Sequence, residues 1–196
     1  MKKKSATRGN GLLEGVLAKK RAEKANSFIT KTHRKGKILD IGCGSYPYFL
    51  STTVFNEKYG IDPSLSIGKI NNIKLIKKDV TKQNLPFNDN YFDVVTMLAV
   101  FEHIDGENIK LVLRDIARVL KKEGVVIITT PAPWSDKLLH QMGKVGLISS
   151  EEIHEHKTHY TRLKIEDIIN EAGFKKEKIK SGYFELGFNM WFTAVK

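Results

Sequence analysis

The sequence predicts a single α/β domain with a mostly parallel, doubly wound sheet and helices on both faces. Apolar runs of strand length alternate with amphipathic helical patterns along most of the chain. A Gly-rich turn follows the first apolar run, within Lys35–Leu50. Right-handed crossovers then place the successive strands in one sheet. The 196 residues are enough for one domain with a sizeable core.

The stretch Lys35–Leu50 predicts a ligand-binding turn. A short buried strand ending at Ile41 carries Asp40, and the turn Gly42–Gly44 interrupts it before a short helix over about 46–53. Glycine lacks a Cβ atom, so the backbone can turn sharply and a charged ligand can approach its N–H groups. Because ligands of open α/β sheets lie at the carboxyl ends of the strands, Asp40 is expected beside the ligand.

Another acid follows a predicted second strand. VFNEKYGID ends in Asp62, about 20 residues beyond Asp40, which is the spacing of an acid that hydrogen-bonds the ribose of a nucleoside. The segment 63–72 is short, so we expect one helical turn at most before a third strand at Ile73–Ile76. Asp79 follows that strand.

The remaining elements continue the alternation of strand and helix. Residues 1–34 are predicted as a basic start and an amphipathic helix, over about 11–32, that packs on the domain formed by residues 35–196. The other predictions are strands at Tyr91–Leu98 and 125–131, a helix at Glu107–Leu120, a partly helical lid over about 131–160, a helix from the N-cap Thr161 to Ala172, and strands at Phe174–Lys180 and Phe188–Val195.

These landmarks together resemble class I S-adenosylmethionine-dependent methyltransferases, in particular the small UbiE-like branch (methyltransferase type 11). The resembling segments are ILDIGCG, the acid Asp62, Asp79-Val80, FDVVTMLAVFEHI and HYTRLKIEDIINEAGF, in order over about Lys35–Val195. The resemblance implies a Rossmann-like domain with an antiparallel last strand. It also implies an enzyme that uses S-adenosyl-L-methionine as methyl donor and releases S-adenosyl-L-homocysteine.

The resemblance assigns parts of the cofactor to parts of the chain. It places the methionine part over the Gly-rich turn, the ribose at Asp62 and the adenine at Asp79. Many members carry a third glycine two positions after the second, where this chain has Tyr46-Pro47. The predicted cofactor-binding residues are Asp40, Gly42, Cys43, Gly44, Tyr46, Asp62, Pro63, Asp79, Val80, Leu98, Ala99 and His103.

Methyl transfer requires few catalytic residues, because the sulfonium of the cofactor already activates the methyl group. The protein mainly aligns the acceptor and excludes water. His103 either acts as a general base or is a hydrogen-bonded residue that shapes its loop. The candidates in or beside the lid are His156 and His159 for catalysis, and Trp134, His154 and Tyr160 for acceptor binding.

Three interpretations of the lid histidines remain open: a metal site, acceptor binding or proton transfer, and a solvated lid. Their spacing, H-x-H-x-x-H, is not a defined metal motif, and only His156 with His159 or with Glu152 would share a helix face. No metal site is predicted, and the other two interpretations stay open. The single cysteine, Cys43, excludes disulfides within the chain and a cysteine-based zinc site.

Charge and composition bear on the class of methyl acceptor. The net charge is +11, but 27 lysines outnumber 6 arginines and are spread along the chain, which is typical of a solvated surface. Residues 98–102 lack the Asn/Asp-Pro-Pro-aromatic motif of exocyclic-amine methylases. We therefore expect methyl transfer to a small metabolite or a lipid-, sugar- or quinone-like acceptor. An RNA or protein methyltransferase, or a non-catalytic S-adenosylmethionine-binding protein, are the alternatives, and nucleic acid is not favoured as a partner.

The sequence predicts a cytoplasmic protein. Its apolar runs fall short of the roughly 20 residues of a membrane span, and the initial Met-Lys-Lys-Lys is followed by polar residues. The oligomeric state is not predicted.

Overall fold

An eight-stranded mixed sheet forms the centre of the structure, a computed structural model that describes residues 14–65, 68–135 and 160–196. Its strands are β1 (Lys37–Ile41), β2 (Glu57–Asp62), β3 (Gly68–Ile70), β4 (Ile73–Lys77), β5 (Phe92–Leu98), β6 (Leu120–Pro131), β7 (Ile179–Phe184) and β8 (Asn189–Val195). The helices are α1 (Glu14–Ser27), α2 (Tyr48–Thr52), α3 (Gly106–Val119) and α4 (Arg162–Glu171).

The strand order is β3-β4-β2-β1-β5-β6-β8-β7, which confirms the predicted doubly wound sheet. The five strands from β4 to β6 are parallel, whereas β8 runs antiparallel to both of its neighbours and β3 runs antiparallel to β4. The chain proceeds outward from β1 in one direction through β2 and returns beside β1 with β5. Ligands of such sheets bind where the order reverses, at the carboxyl ends of β1 and β5.

Two core clusters lie on opposite faces of the sheet, because side chains alternate along each strand. On β6, Val126 and Ile128 pack with α3 and α4, whereas Val125 and Ile127 face the side covered by α1 and α2. We call these the α3/α4 face and the α1/α2 face. The predicted arrangement of helices on both faces is therefore confirmed.

The segment after β2 corrects one prediction. Residues 68–70 form an edge strand instead of part of a helical turn, and Ile70 pairs with Ile73 across a two-residue loop. Asn71 has a φ of +53°, a left-handed conformation that asparagine adopts more readily than most residues. The Asn-Asn pair between apolar residues was the signal of this hairpin.

The penultimate strand was predicted too early in the chain. Phe174 is buried in the core on the α3/α4 face, Lys176–Lys178 form a 3-10 turn, and β7 begins only at Ile179. Ile179 pairs with Ala194, so residues before Lys178 would extend beyond the end of β8 at Val195. Of the predicted lid, residues 136–159 lie outside the described part of the chain.

Helix α1 is fastened to the sheet by an aromatic contact. The rings of Phe28 and Trp191 lie 4.6 Å apart, and Lys24 Nζ lies 4.9 Å and 4.8 Å from their centroids. Ala22 and Ala25 of α1 are buried on the α1/α2 face. This helix therefore covers the sheet near β8. In the ranges that the structure describes, the helices are too short or too polar to cross a membrane.

A buried lysine closes the end of α2. Lys58 is 8% exposed, and its Nζ donates to the carbonyl oxygens of Leu50, at 2.9 Å, and Thr53, at 3.4 Å. Burial lowers the pKa of this lysine. Because the last carbonyls of a helix have no partner within the helix, Lys58 supplies donors that α2 would otherwise lack.

We expect Lys58→Met to lower the free energy of unfolding by about 1–3 kcal/mol, because both carbonyls lose their donor while the apolar contacts of the side chain remain. Urea unfolding of the ligand-free protein measures this change. Lys180→Met, at an exposed position on β7, is the matched control and should leave stability nearly unchanged. Equal effects of the two substitutions would contradict the capping role.

Candidate active site

The Gly-rich turn after β1 requires its glycines. The N–H groups of Gly42 and Cys43 both donate to Ile61 O of β2, at 2.7 and 3.3 Å. Gly42 and Gly44 have φ values of +74° and +72°, in the left-handed region that favours glycine. A Cβ atom on Gly42 would lie 2.2 Å from Val100 Cγ2. The segment after β5 therefore lies too close to the turn for a side chain at position 42.

Asp62 connects the end of β2 to this turn. Its carboxylate is 1% exposed, and Oδ2 accepts a hydrogen bond from Gly44 N at 3.0 Å. Oδ1 accepts from Ser64 N at 2.8 Å and from the Ser64 hydroxyl. These hydrogen bonds fix the orientation of the carboxylate at the carboxyl end of β2, beside the Gly-rich turn. The acid predicted to bind ribose thus also organises the loop around the site.

Asp40 provides a second buried carboxyl at the same end of the sheet. It is 4% exposed, and Thr96 Oγ1 of β5 donates to Oδ1 at 2.6 Å. Burial raises the pKa of Asp40 to about 7; the Thr96 hydrogen bond opposes this shift and the nearby charge of Asp62 adds to it. A bound cation, such as an ammonium or sulfonium, would favour the ionised form. Asp40 and Asp62 make the site acidic, although the chain as a whole is strongly basic.

Asp79 lies after β4 and is held by its own loop. Its Oδ1 accepts from Thr81 N at 3.0 Å and from Thr81 Oγ1 at 2.7 Å, and Lys82 Nζ lies 3.1 Å from Oδ2. The hydrogen bonds from Thr81 are the main cause of its lowered pKa. Val80 is half-buried against the core of the α3/α4 face. These contacts keep the carboxylate at a fixed place after β4.

The segment after β5 borders the Gly-rich turn. Ala99 has a φ of +56°, which is uncommon for alanine, and its N–H donates to Thr129 O of β6 at 2.9 Å. Strained backbone of this kind clusters at ligand sites. Leu98 is half-buried, and His103 is half-buried at the end of a 3-10 turn that begins at Phe101. Through Val100, this segment contacts the turn after β1.

The other predicted site residues are less closely grouped. Cys43 is buried and packs against Gly60, where an added Cβ atom would lie 2.7 Å from its Sγ. Tyr46 is half-buried and Pro63 is exposed. Trp134 and Tyr160 contact different aromatic partners, Phe188 at 4.8 Å and Phe101 at 5.6 Å between ring centroids, and His154, His156 and His159 lie outside the described residues.

Three buried polar residues near the site were not predicted as site residues from the sequence, namely Thr96, Glu102 and Thr129. Each interrupts or directly follows an apolar run near the carboxyl end of a strand, which was the available signal. Within the ranges 14–65, 68–135 and 160–196, histidine, cysteine and acidic side chains form no group of three that could hold a metal ion.

Comparisons with known proteins agree with this geometry. Residues 15–179 match the family model described as a methyltransferase domain. An uncharacterised protein of Methanocaldococcus jannaschii is 33% identical over 147 residues, which cover 75% of this chain but only 58% of that relative. The ubiquinone biosynthesis O-methyltransferase of Rickettsia bellii is 25% identical over 171 residues, covering 79% of this chain and 68% of that protein.

A solved structure shows the same fold. The S-adenosylmethionine-dependent methyltransferase from Archaeoglobus fulgidus superposes with a TM-score of 0.68 at 17% identity, covering 91% of this chain and 94% of that one. The sheet order and the acids at the strand ends define a Rossmann-like domain of the nucleoside-binding type. With the family match over most of its length, the chain belongs to the class I S-adenosylmethionine-dependent methyltransferases.

We expect Asp62→Asn to weaken binding of S-adenosylhomocysteine at least about tenfold and to lower the melting temperature. Asparagine has one accepting oxygen, so its amide N–H₂ would face either Gly44 N–H or Ser64 N–H and one donor would lose its partner. Calorimetric titration and thermal unfolding measure the two effects. Asp167→Asn, at an exposed position of α4, is the control, and equal binding by both variants would contradict this role.

We expect Asp40→Asn to remove a pH dependence of stability in the ligand-free protein. The folded pKa of Asp40, about 7, is raised from the ordinary 3.8, so its stabilising contribution is complete below about pH 4 and is lost as the pH rises through 7. At about 1.4 kcal/mol per pKa unit, the loss is a few kcal/mol. Urea unfolding of wild type and variant across this range measures it. A difference between the two proteins that stays constant with pH would contradict the assignment.

Proposed function

We propose that this protein transfers a methyl group from S-adenosylmethionine to a small-molecule acceptor, with a quinone-like metabolite as the first class to test. The observation that carries the proposal is the buried Asp62 carboxylate bound to Gly44 N at 3.0 Å. This contact joins the acid that would bind ribose to the turn that would receive the methionine part. The Rickettsia bellii relative, a ubiquinone biosynthesis O-methyltransferase by name, supports the choice of acceptor.

The residues present fit the cofactor. The space beside Gly44 is open, so a ligand can approach the backbone closely there, whereas Val100 fills the space beside Gly42. Asp40 and Asp62 supply negative charge for a ligand that carries an ammonium and a sulfonium, and Asp79 lies beyond them after β4 for the adenine side. When bound, S-adenosylmethionine supplies an electrophilic methyl group.

The chain's own contribution is positioning. Asp62 and the Gly-rich turn hold one side of the cofactor site, while the backbone of Ala99, fixed by its hydrogen bond to Thr129 O, borders the other side. A site held by buried hydrogen bonds keeps the reacting atoms aligned without reorganisation. The acceptor would lie beyond Ala99, on the side of β6 and β8.

Incubation with S-adenosylmethionine carrying a labelled methyl group tests the function. The acceptors are reduced quinone analogues and a small-metabolite extract, with bulk RNA and total protein as competing classes. We expect label in the small-molecule fraction with wild type and a strong loss with Asp62→Asn.

The other outcomes are distinct. Label in RNA or protein would contradict the small-molecule acceptor and favour the alternative that the charge of +11 suggests. Binding of S-adenosylhomocysteine without transfer to any fraction would indicate a non-catalytic cofactor-binding protein. Absence of any binding would overturn the proposal itself.

A further inference from the structure

Two buried polar atoms near the candidate site lack a hydrogen-bond partner. Within the described ranges, these are Glu102 Oε2 and Thr129 Oγ1. Glu102 is 5% exposed and Thr129 is fully buried. Native proteins pair nearly all buried polar atoms, so an unpaired carboxylate oxygen at a ligand site points to a partner supplied by a ligand.

The 3-10 turn directs Glu102 away from the neighbouring core. In such a turn, residues three positions apart share a face. Phe101 and Ile104 are three apart, and both are buried in the core of the α3/α4 face. Glu102 lies between them in the sequence and therefore projects elsewhere. The turn itself follows the carboxyl end of β5 and packs against β6.

Thr129 lies on the face of the sheet that holds Asp40. Along β6, Ile127 faces the α1/α2 side and Ile128 the opposite side, so Thr129 faces the α1/α2 side. Thr129 pairs with Leu98 of β5, and the Asp40–Thr96 hydrogen bond lies on the same face between β1 and β5. The unpaired hydroxyl is thus one strand beyond that bond, on the side where the acceptor is expected.

We propose that Glu102 binds the methyl-accepting hydroxyl of the substrate and receives its proton, and that Thr129 hydrogen-bonds the same part of the substrate. The inference rests on the proposed function and names the chemistry of the acceptor, a hydroxyl compound. A carboxylate oxygen accepts an O–H donor strongly when both are removed from water.

The step balances in atoms and charge. The acceptor's O–H bond breaks and its proton passes to Glu102 Oε2, while a lone pair of the oxygen forms the new O–CH₃ bond. The bonding pair of the S–CH₃ bond stays on sulfur, so the sulfonium becomes a neutral thioether. One negative carboxylate and one positive sulfonium are consumed, and the products are neutral at both groups.

His103, the base suggested by the sequence, differs in its surroundings. It is half-buried and already has contacts within the protein. Glu102 combines deep burial with an oxygen that lacks a partner among the described residues. The carboxylate is therefore the group that gains most from a donor on the ligand.

The test uses 4-nitrocatechol, a coloured hydroxyl compound, with wild type, Glu102→Gln and Thr129→Val, all saturated with S-adenosylhomocysteine. Absorbance titration should show binding to wild type, weakened at least about tenfold in Glu102→Gln, because an amide oxygen is a weaker acceptor and cannot take the proton. Thr129→Val, which keeps the shape of the side chain, should weaken binding several-fold. With S-adenosylmethionine, kcat for methylation of the probe should fall about 100-fold in Glu102→Gln.

Two further readouts separate binding from structure. The melting temperature of ligand-free Glu102→Gln should not fall, because Glu102 Oε2 makes no hydrogen bond that the substitution would remove. Affinity for S-adenosylhomocysteine should stay within about twofold of wild type. Glu177→Gln, at an exposed position, is the control and should change neither quantity.

Several results would overturn the inference. Failure of 4-nitrocatechol to bind the wild-type complex, or equal binding by Glu102→Gln, would refute it while the proposed function stands. A parallel loss of affinity for S-adenosylhomocysteine would assign Glu102 to the cofactor instead of the acceptor. If wild type does not bind S-adenosylhomocysteine at all, the proposed function fails as well. Should Glu102→Gln not fold, an unaltered probe affinity in Thr129→Val would overturn the proposal.

Discussion

The hydrogen bond from Gly44 N to Asp62 Oδ2 is the contact on which the candidate site depends. It joins the turn after β1 to the buried Asp62 carboxylate at the end of β2, and the turn lies in a conformation that glycine allows. Ser64 holds the second oxygen of the same carboxylate, so the acid cannot rotate freely. The loops around the ligand are thereby positioned before any ligand arrives, which lowers the cost of binding.

The positions of the glycines and acids could be predicted from the sequence because they depend on local order. A residue that follows a buried strand lies at the sheet edge whatever its distant neighbours are, so Asp40 and Asp62 were found. Their partners depend on pairing between distant segments, such as Thr96 with Asp40, and could not be inferred. The unpaired oxygen of Glu102 could not be predicted either, because burial and the lack of a partner are properties of the assembled fold.

The two errors in the predicted strands, at β3 and at the start of β7, also have physical causes. The edge strand β3 is short and pairs with β4 through an Asn-Asn loop. The left-handed Asn71 of this loop indicates a hairpin more clearly than the weak apolar pattern around it does. The start of β7 is set by where β8 ends, a constraint from a strand that comes later in the chain. Net charge describes the surface of this basic chain and not its buried site, where Asp40 and Asp62 lie.

The contact between Phe28 and Trp191 has a consequence for how the protein is made. These rings are separated by most of the sequence, and the strand that carries Trp191 lies between β6 and β7. During synthesis, α1 emerges early, but its aromatic anchor appears only with β8. Contacts of such high sequence separation form late and slow folding. The aromatic contact that holds this end of α1 to the sheet is therefore missing until β8 has been made, and the apolar surface it covers stays exposed until then.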